Sequence, residues 1–306
     1  MQFSTNLLTW YSINKRDLPW RQSPTPYQVL VSEIMLQQTQ VPRVIEKYKE
    51  FLTLFPTLEA LAKASKAEVI QAWSGLGYNR RALLLQKFAI DVTNKYDGEM
   101  PRVREALTKL PGMGPYTTGA VLSFAFNQEE PAIDVNVRRI FLRYFEGKDQ
   151  GEPLDKVGER KLYDLAKQQI PVGKSSMFHN ALMDFGSLVC MRNNPACQTC
   201  PLRGGCKFFP LYDLHKEKVL QVREKKVEQG VYENGKYIPN RIFRGRIVEF
   251  ARQNVGKKVE ILHVGSKVKK DYTTADQEWL LMLCAKLTKD GLLQYNVENS
   301  FVTFHF

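Results

Sequence analysis

Leu110-Pro111-Gly112-Met113-Gly114-Pro115-Tyr116-Thr117 is the stretch on which the fold turns. A helical pattern ends at the proline, two glycines permit a tight backbone turn, and another helical pattern begins. Such a turn exposes N–H groups at a helix N-terminus, where a phosphate is readily bound. An ordinary helix–helix turn would look similar, but a segment further along the chain sharpens the reading. Pro131-Ala132-Ile133-Asp134-Val135-Asn136-Val137-Arg138-Arg139 sets an acid and an amide at the start of a further helix. Asp134 is also a favoured helix cap, so the acid alone decides nothing.

Outward from the turn, apolar residues recur at helical spacing from Phe3 to about Leu188. The spacing predicts helices over 4–14, 25–38, 42–54, 57–62, 66–73, 78–95, 103–109, 116–127, 134–145, 155–169 and 175–188. No alternating strand pair and no fixed-period repeat is visible in this part. The expected body covers 1–206. Residues 207–239 read as a basic linker or arm containing Lys216, Lys218, Arg223, Lys225 and Lys226, with a turn at Glu233-Asn234-Gly235-Lys236. The remainder, 240–306, reads as a helix capped by Asn240, a strand at 259–262, a helix from Thr274 to Lys289 and a terminal hairpin. The fold class is therefore mainly α, with a small α+β, winged-helix-like C-terminal domain.

Charge bounds the partners. Among 306 residues, 44 Lys+Arg against 32 Asp+Glu leave a net +12. An anionic partner is expected. With 43% hydrophobic and 11% aromatic residues a packed core is available, which excludes a disordered chain. No run reaches the ~18 apolar residues of a membrane span, and the N-terminus does not read as a signal peptide. A cytoplasmic, nucleoid-associated location is expected.

Four of the five cysteines, Cys190, Cys197, Cys200 and Cys206, follow C-x6-C-x2-C-x5-C. In a reducing compartment such a cluster reads as a metal or cluster site. Four thiolates suit either a four-iron four-sulfur (4Fe-4S) cluster or zinc; zinc sites usually pair two CxxC knuckles and only Cys197 and Cys200 form one, so the spacing favours the cluster. Between them Arg192 and Arg203 could face phosphate or plain solvent. Cys284, in an apolar helical pattern, reads as a small hydrophobe. In Ser32-Glu33-Ile34-Met35-Leu36-Gln37-Gln38-Thr39-Gln40, Glu33 extends an otherwise apolar helix. Burial disfavours a charged carboxylate, so Glu33 is a candidate acid near neutral pH. An exposed Glu on an amphipathic face is the alternative.

Together these features resemble the helix-hairpin-helix DNA glycosylases related to endonuclease III, and within them the MutY-type adenine glycosylases. The residues that carry the resemblance are Leu18-Pro19-Trp20, Pro26-Tyr27, Ser32-Glu33 with Met35 to Val41, Trp73-Ser74-Gly75-Leu76-Gly77-Tyr78, the hairpin, Asp134 with Asn136 to Arg139, and the cysteine spacing. They span about 3–206.

The resemblance implies a base-excision-repair enzyme that flips adenine out of a mispair with guanine or 8-oxoguanine and cuts its glycosidic bond. It implies Glu33 as general acid, Asp134 as the charge opposite the sugar cation, and Tyr116 and Asn136 as positioning groups. It implies a 4-Fe, 4-S cluster on the four cysteines. Gly112 and Gly114 would hold a DNA phosphate, with a monovalent cation at the hairpin. Gln37, Gln38, Thr39 and Tyr78 would meet the duplex, Tyr78 as a wedge, and Arg16, Leu18, Trp20 and Asn180 would line the base pocket. Bifunctional relatives carry a lysine two residues after the second hairpin glycine. Tyr116 stands there, so the enzyme is expected to be monofunctional. The expected partner is double-stranded DNA bound by a monomer, with no membrane. Three departures stand out: Asn79 replaces a second aromatic, Asn180 replaces a longer acid or amide, and 207–306 lacks the usual lesion-reading domain. Thymine or uracil opposite guanine is a second substrate reading. A non-catalytic DNA-binding protein is a third, against which the retention of both Glu33 and Asp134 argues.

Overall fold

A computed structural model describes residues 2–149, 154–212 and 228–306. The chain forms two compact units, each built from two separated stretches: Met1–Ile34 with Glu99–Glu224, and Met35–Gly98 with Lys225–Phe306. The basic residues Lys216, Lys218, Arg223, Lys225 and Lys226 lie outside the described residues.

The first unit holds α1 (Gln2–Asn14) and most of α2 (Pro26–Leu36). The second unit supplies α3 (Val41–Leu54), α4 (Leu58–Lys63), α5 (Lys66–Ala72) and α6 (Arg80–Lys95). The first unit continues with α7 (Arg104–Leu107), α8 (Pro115–Phe124), α9 (Val135–Phe141), α10 (Lys156–Gln169) and α11 (Ser175–Leu188). Helix α11 is its hub and packs on α1, α8 and α9. Phe178, Leu182 and Phe185 recur at helical spacing on its buried face. Phe3 closes this core edge-on against Phe141 and Phe178 at 5.5 and 6.3 Å between ring centroids. Burying each such side chain contributes roughly 1.5–3 kcal/mol.

In the second unit α4 and α5 pack on α6, and Trp73 stacks edge-on with Phe51 at 5.7 Å. The C-terminal part opens with a hairpin, β1 (Gly230–Glu233) and β2 (Lys236–Pro239). The expected arm therefore ends in regular structure. Asn234 and Gly235 both take left-handed backbone, at φ 49° and 76°, which is what a two-residue hairpin turn requires. Then come α12 (Asn240–Gln253), β3 (Lys258–Glu260), α13 (Ile261–Val268), α14 (Gln277–Lys289), β4 (Gln294–Glu298) and β5 (Phe301–His305). The antiparallel sheet runs β3-β5-β4, with Val302 opposite both Val259 and Val297. Helix, strand, two helices and hairpin is the element order of a winged-helix module. Its core of Phe243, Ile247, Leu283, Cys284 and Phe304 is continuous with Ile70 of α5 and Leu83 of α6.

Several boundaries differ from expectation. Helix α2 stops at Leu36 because Gln38 is left-handed at φ 57°, and α6 starts at Arg80 because Tyr78 is left-handed at φ 48°. The strand expected at 259–262 ends at Glu260. Ile261, Val264 and Val268 instead make the buried stripe of α13, so helical packing outweighs their β-branching. Asn240 is the first helical residue rather than a cap, and its amide oxygen accepts from Trp279 Nε1 at 3.0 Å.

Candidate active site

Glu33 sits in α2 between Val29, Leu30, Val31 and Ile34, with 7% of its surface exposed. Its Oε2 accepts from the Tyr116 hydroxyl at 2.8 Å. Burial pushes the carboxyl up to about 7, with Asp134 adding in the same direction and the Tyr116 hydrogen bond opposing it. A carboxyl that keeps its proton in a large share of molecules at neutral pH is the consequence. Tyr116 lies in the first turn of α8, and burial together with the two nearby carboxylates pushes its hydroxyl well above the ordinary range, so it remains a donor. Tyr116→Phe removes a bond that favours the ionised form. The alkaline limb of the enzyme's pH–rate profile should therefore move upward, and an unmoved limb would contradict this coupling.

Asp134 is the N-cap of α9. Its Oδ1 accepts from the Asn136 and Val137 amides at 2.8 Å each, and its Oδ2 from Asn136 Nδ2 at 2.7 Å. Burial raises its pKa, opposed by those three donors and by Arg139. All three contacting groups donate, so the cradle suits an acceptor-only carboxylate. The Asn136 amide is itself held, because Arg139 donates to its Oδ1 at 2.8 Å and also to the carbonyls of Gly186 and Cys190 at 2.7 Å. Gly186 permits this closeness: a Cβ there would stand 2.7 Å from Asn136 Cβ. The loop before Asp134 is fixed by His179, whose Nε2 accepts from the Ala132 amide at 3.1 Å. Burial holds that imidazole down at about 4, hence neutral. Neither Arg139's reach nor His179's role has a local sequence signal.

The hairpin between α7 and α8 is turned by Gly112 at φ 79°, and Gly114 caps α8 without any side-chain bond. The turn thus presents a helix N-terminus, the kind of position at which an anion is readily bound.

The four cysteines are half-buried and unpaired by disulfide. Burial first, then the neighbouring thiols, push Cys197 up to about 11 and Cys200 to about 12. The buried Arg143 braces their loop, donating to Asp149 at 2.8 Å, to the carbonyl of Met191 at 2.7 Å and to Cys190 Sγ at 3.6 Å. Among the described residues no three His, Cys, Asp or Glu side chains are grouped tightly enough to hold a single metal ion. Arg192 and Arg203 are exposed, and Arg203 also donates to the Gln198 carbonyl at 2.9 Å.

Of the expected base-pocket residues, Leu18 and Trp20 are buried. Arg16 is committed to the fully buried Asp184, at 2.6 Å, in a cluster shared with Arg21 at 2.8 Å. Those cations and the Arg16 amide hold Asp184 below the usual carboxylate range despite its burial. Asn180 bonds back to the Ser176 carbonyl of its own helix at 3.0 Å.

The expected duplex-contacting residues belong to the second unit. Gln37 and Thr39 are half-buried, Gln38 is exposed, and Tyr78 is 46% exposed. The residue that organises them carries no signal in the sequence. Arg81, buried in α6, donates to the carbonyls of Met35, Gln37, Leu76 and Gly77 and to Thr39 Oγ1 at 2.5–3.2 Å. One guanidinium thus ties the 37–39 turn to the 76–78 turn. Its fork geometry is what lysine lacks. Arg81→Ala and Arg81→Lys should each cost about 2–4 kcal/mol, read from denaturant midpoints. Unchanged midpoints would show that the turns hold without it.

A family model described as HhH-GPD superfamily base excision DNA repair protein matches residues 31–168. The adenine DNA glycosylase of Buchnera aphidicola (subsp. Schizaphis graminum) is 33% identical over 274 residues, covering 82% of this chain and 78% of that protein. The rat adenine DNA glycosylase is 42% identical over 214 residues, 67% of this chain. A solved thermostable thymine-DNA glycosylase superposes with a TM-score of 0.63 at 34% identity, covering 68% of this chain and 95% of that one. The chain belongs to the HhH-GPD superfamily of base excision DNA repair proteins. Its match spans only 41% of the rat protein.

Proposed function

We propose that this protein is a monofunctional adenine DNA glycosylase acting on adenine opposite guanine or 8-oxoguanine in duplex DNA. The observation that carries the reading is a pair of buried carboxyls in one unit with different partners: Glu33, which burial raises to about 7, and Asp134, set in a cradle of donors. Adenine is a poor leaving group and departs only when protonated. Glu33 gives its proton to N7 of the extruded base as the C1′–N9 bond breaks. The sugar becomes cationic, and Asp134 stabilises it electrostatically. Water then adds at C1′ and returns a proton to Glu33, leaving free adenine and an abasic site.

The N-terminus of α8, after Gly114, suits a backbone phosphate of the target strand. Cys190, Cys197, Cys200 and Cys206 would hold a 4-Fe, 4-S cluster. Four cysteines with a single CxxC pair suit the cluster better than the paired CxxC knuckles usual for zinc. Such a cluster supplies a covalent staple for the loop. Arg143 and Arg139 grip the chain at Cys190 through their own hydrogen bonds.

The second reading, thymine excision, is favoured by the likeness to the thymine-DNA glycosylase. Thymine can leave as an anion and gains little from a buried acid, so Glu33 supports adenine. Duplexes carrying each mismatch, incubated with protein and then treated with alkali, test the choice. Cleavage at adenine opposite guanine or 8-oxoguanine is expected. Cleavage at thymine alone would establish the second reading, and none at all a binding protein. Because Tyr116 stands where a nucleophilic amine would act, borohydride should trap no covalent DNA adduct. A trapped adduct would overturn the monofunctional assignment.

A further inference from the structure

Half of the chain's surplus charge is not explained by the family. Residues 207–306 carry 18 Lys/Arg against 12 Asp/Glu, a net +6 of the total +12. Part of it borders a groove of about 1220 Å³ within the second unit. One wall is the pair of turns bearing Gln38 and Tyr78, and the other is α12. We propose that this groove binds the DNA strand opposite the excised base, so that the winged-helix-like domain completes the enzyme's duplex-binding surface. This rests on the reading of duplex DNA as substrate.

Five features carry the assignment. The groove is cationic: Arg43, Arg80 and Lys267 line it, are exposed, and have no ion pair among the described residues. A polyanionic strand meets such a surface with release of counterions. Its two walls are rigidly joined, because Phe243 and Ile247 of α12 share one core with Ile70 and Leu83. The polar and aromatic tips are pre-set: Gln38 and Tyr78 are held left-handed, an unfavourable backbone for bulky residues, by the Arg81 bonds between their turns. Arg241 of α12 reaches across, pairing with Glu228 at 2.7 Å and interacting with the Tyr78 hydroxyl. Finally, Gly245 lines the groove in the middle of α12, where a Cβ would meet nothing within 4 Å. Glycine costs a helix interior about 1 kcal/mol relative to alanine, and here it keeps space open for an occupant. Glu33, Asp134 and the hairpin, assigned above to the target strand, belong to the first unit and line no part of this groove.

The test uses the full chain and two substitutions, each of which adds one acid. Gly245→Glu puts an acid into the groove, whereas Ala285→Glu puts one on the exposed face of α14, outside it. Affinity for a duplex with adenine opposite 8-oxoguanine should fall at least about tenfold for Gly245→Glu, with a shallower salt dependence, and stay unchanged for Ala285→Glu. In the wild-type protein, 5-iodouracil placed beside the orphaned base on the opposite strand should photocrosslink to residues 74–81 or 241–246. The same probe in the adenine strand should not. Crosslinks only to the adenine strand, or none to these segments, would overturn the groove, as would equal affinities for both variants. Wild-type protein that crosslinks at these segments but releases no adenine would sink the proposed activity and leave the groove standing. A groove that instead takes an acidic protein segment would show no crosslink and no DNA effect of Gly245→Glu.

Discussion

Glu33→Gln should lower adenine release by about 100- to 10,000-fold, the range of a positioned general acid, while duplex affinity stays near that of the wild type. The same substitution should stabilise the protein above neutral pH. In the folded chain the Glu33 carboxyl is raised from its ordinary 4.5 to about 7. Between those values the folded state holds a proton that the unfolded chain has lost, so stability falls as pH rises through the window. The full penalty is in place above about pH 7, at most ~3 kcal/mol. Glutamine carries no charge and removes it. Unfolding midpoints for Glu33→Gln should exceed those of the wild type at pH 8 and converge with them below pH 4.5. Near-full excision by the variant, or equal midpoints at pH 8, would remove Glu33 as the buried acid.

Asp134→Asn should cost about 100- to 1,000-fold in excision for a different reason. Asparagine caps a helix as well as aspartate does, so α9 should keep its start and stability should change by under about 1 kcal/mol. Only the charge facing the sugar cation is lost. The amide also brings an N–H toward Asn136 Nδ2, where the carboxylate accepted a bond at 2.7 Å. A large excision loss with a retained melting temperature is the expected signature. Excision loss accompanied by unfolding would instead make Asp134 a structural cap alone.

Much of this site could be read in the chain because its residues break local rules. Glu33 interrupts an apolar helix, Asp134 with Asn136 begins a helix after a proline-led loop, and the cysteines crowd one short loop. The order of helices came from period and punctuation. Other features have no local cause. Tyr78 and Gln38 adopt backbone that sequence assigns to glycine or asparagine, and only Arg81's bonds to both turns explain it. Arg81 itself looks like one more surface cation beside Arg80. Helix α13 was hidden by the β-branched residues Ile261, Val264 and Val268, whose burial on one face emerges only once α12 and α14 are in place. The joining of Met35–Gly98 with Lys225–Phe306 is likewise a tertiary fact, set by apolar faces of α5 and α12 that neither segment reveals alone.

The most direct measurement is the single-turnover rate of adenine release from a duplex with adenine opposite 8-oxoguanine, at saturating protein, from about pH 5.5 to 9. A buried acid that titrates near 7 gives a plateau below that pH and a fall of about tenfold per unit above it. A rate that holds level to pH 9, or a duplex that keeps its adenine throughout, would contradict Glu33 as the acid that releases the base.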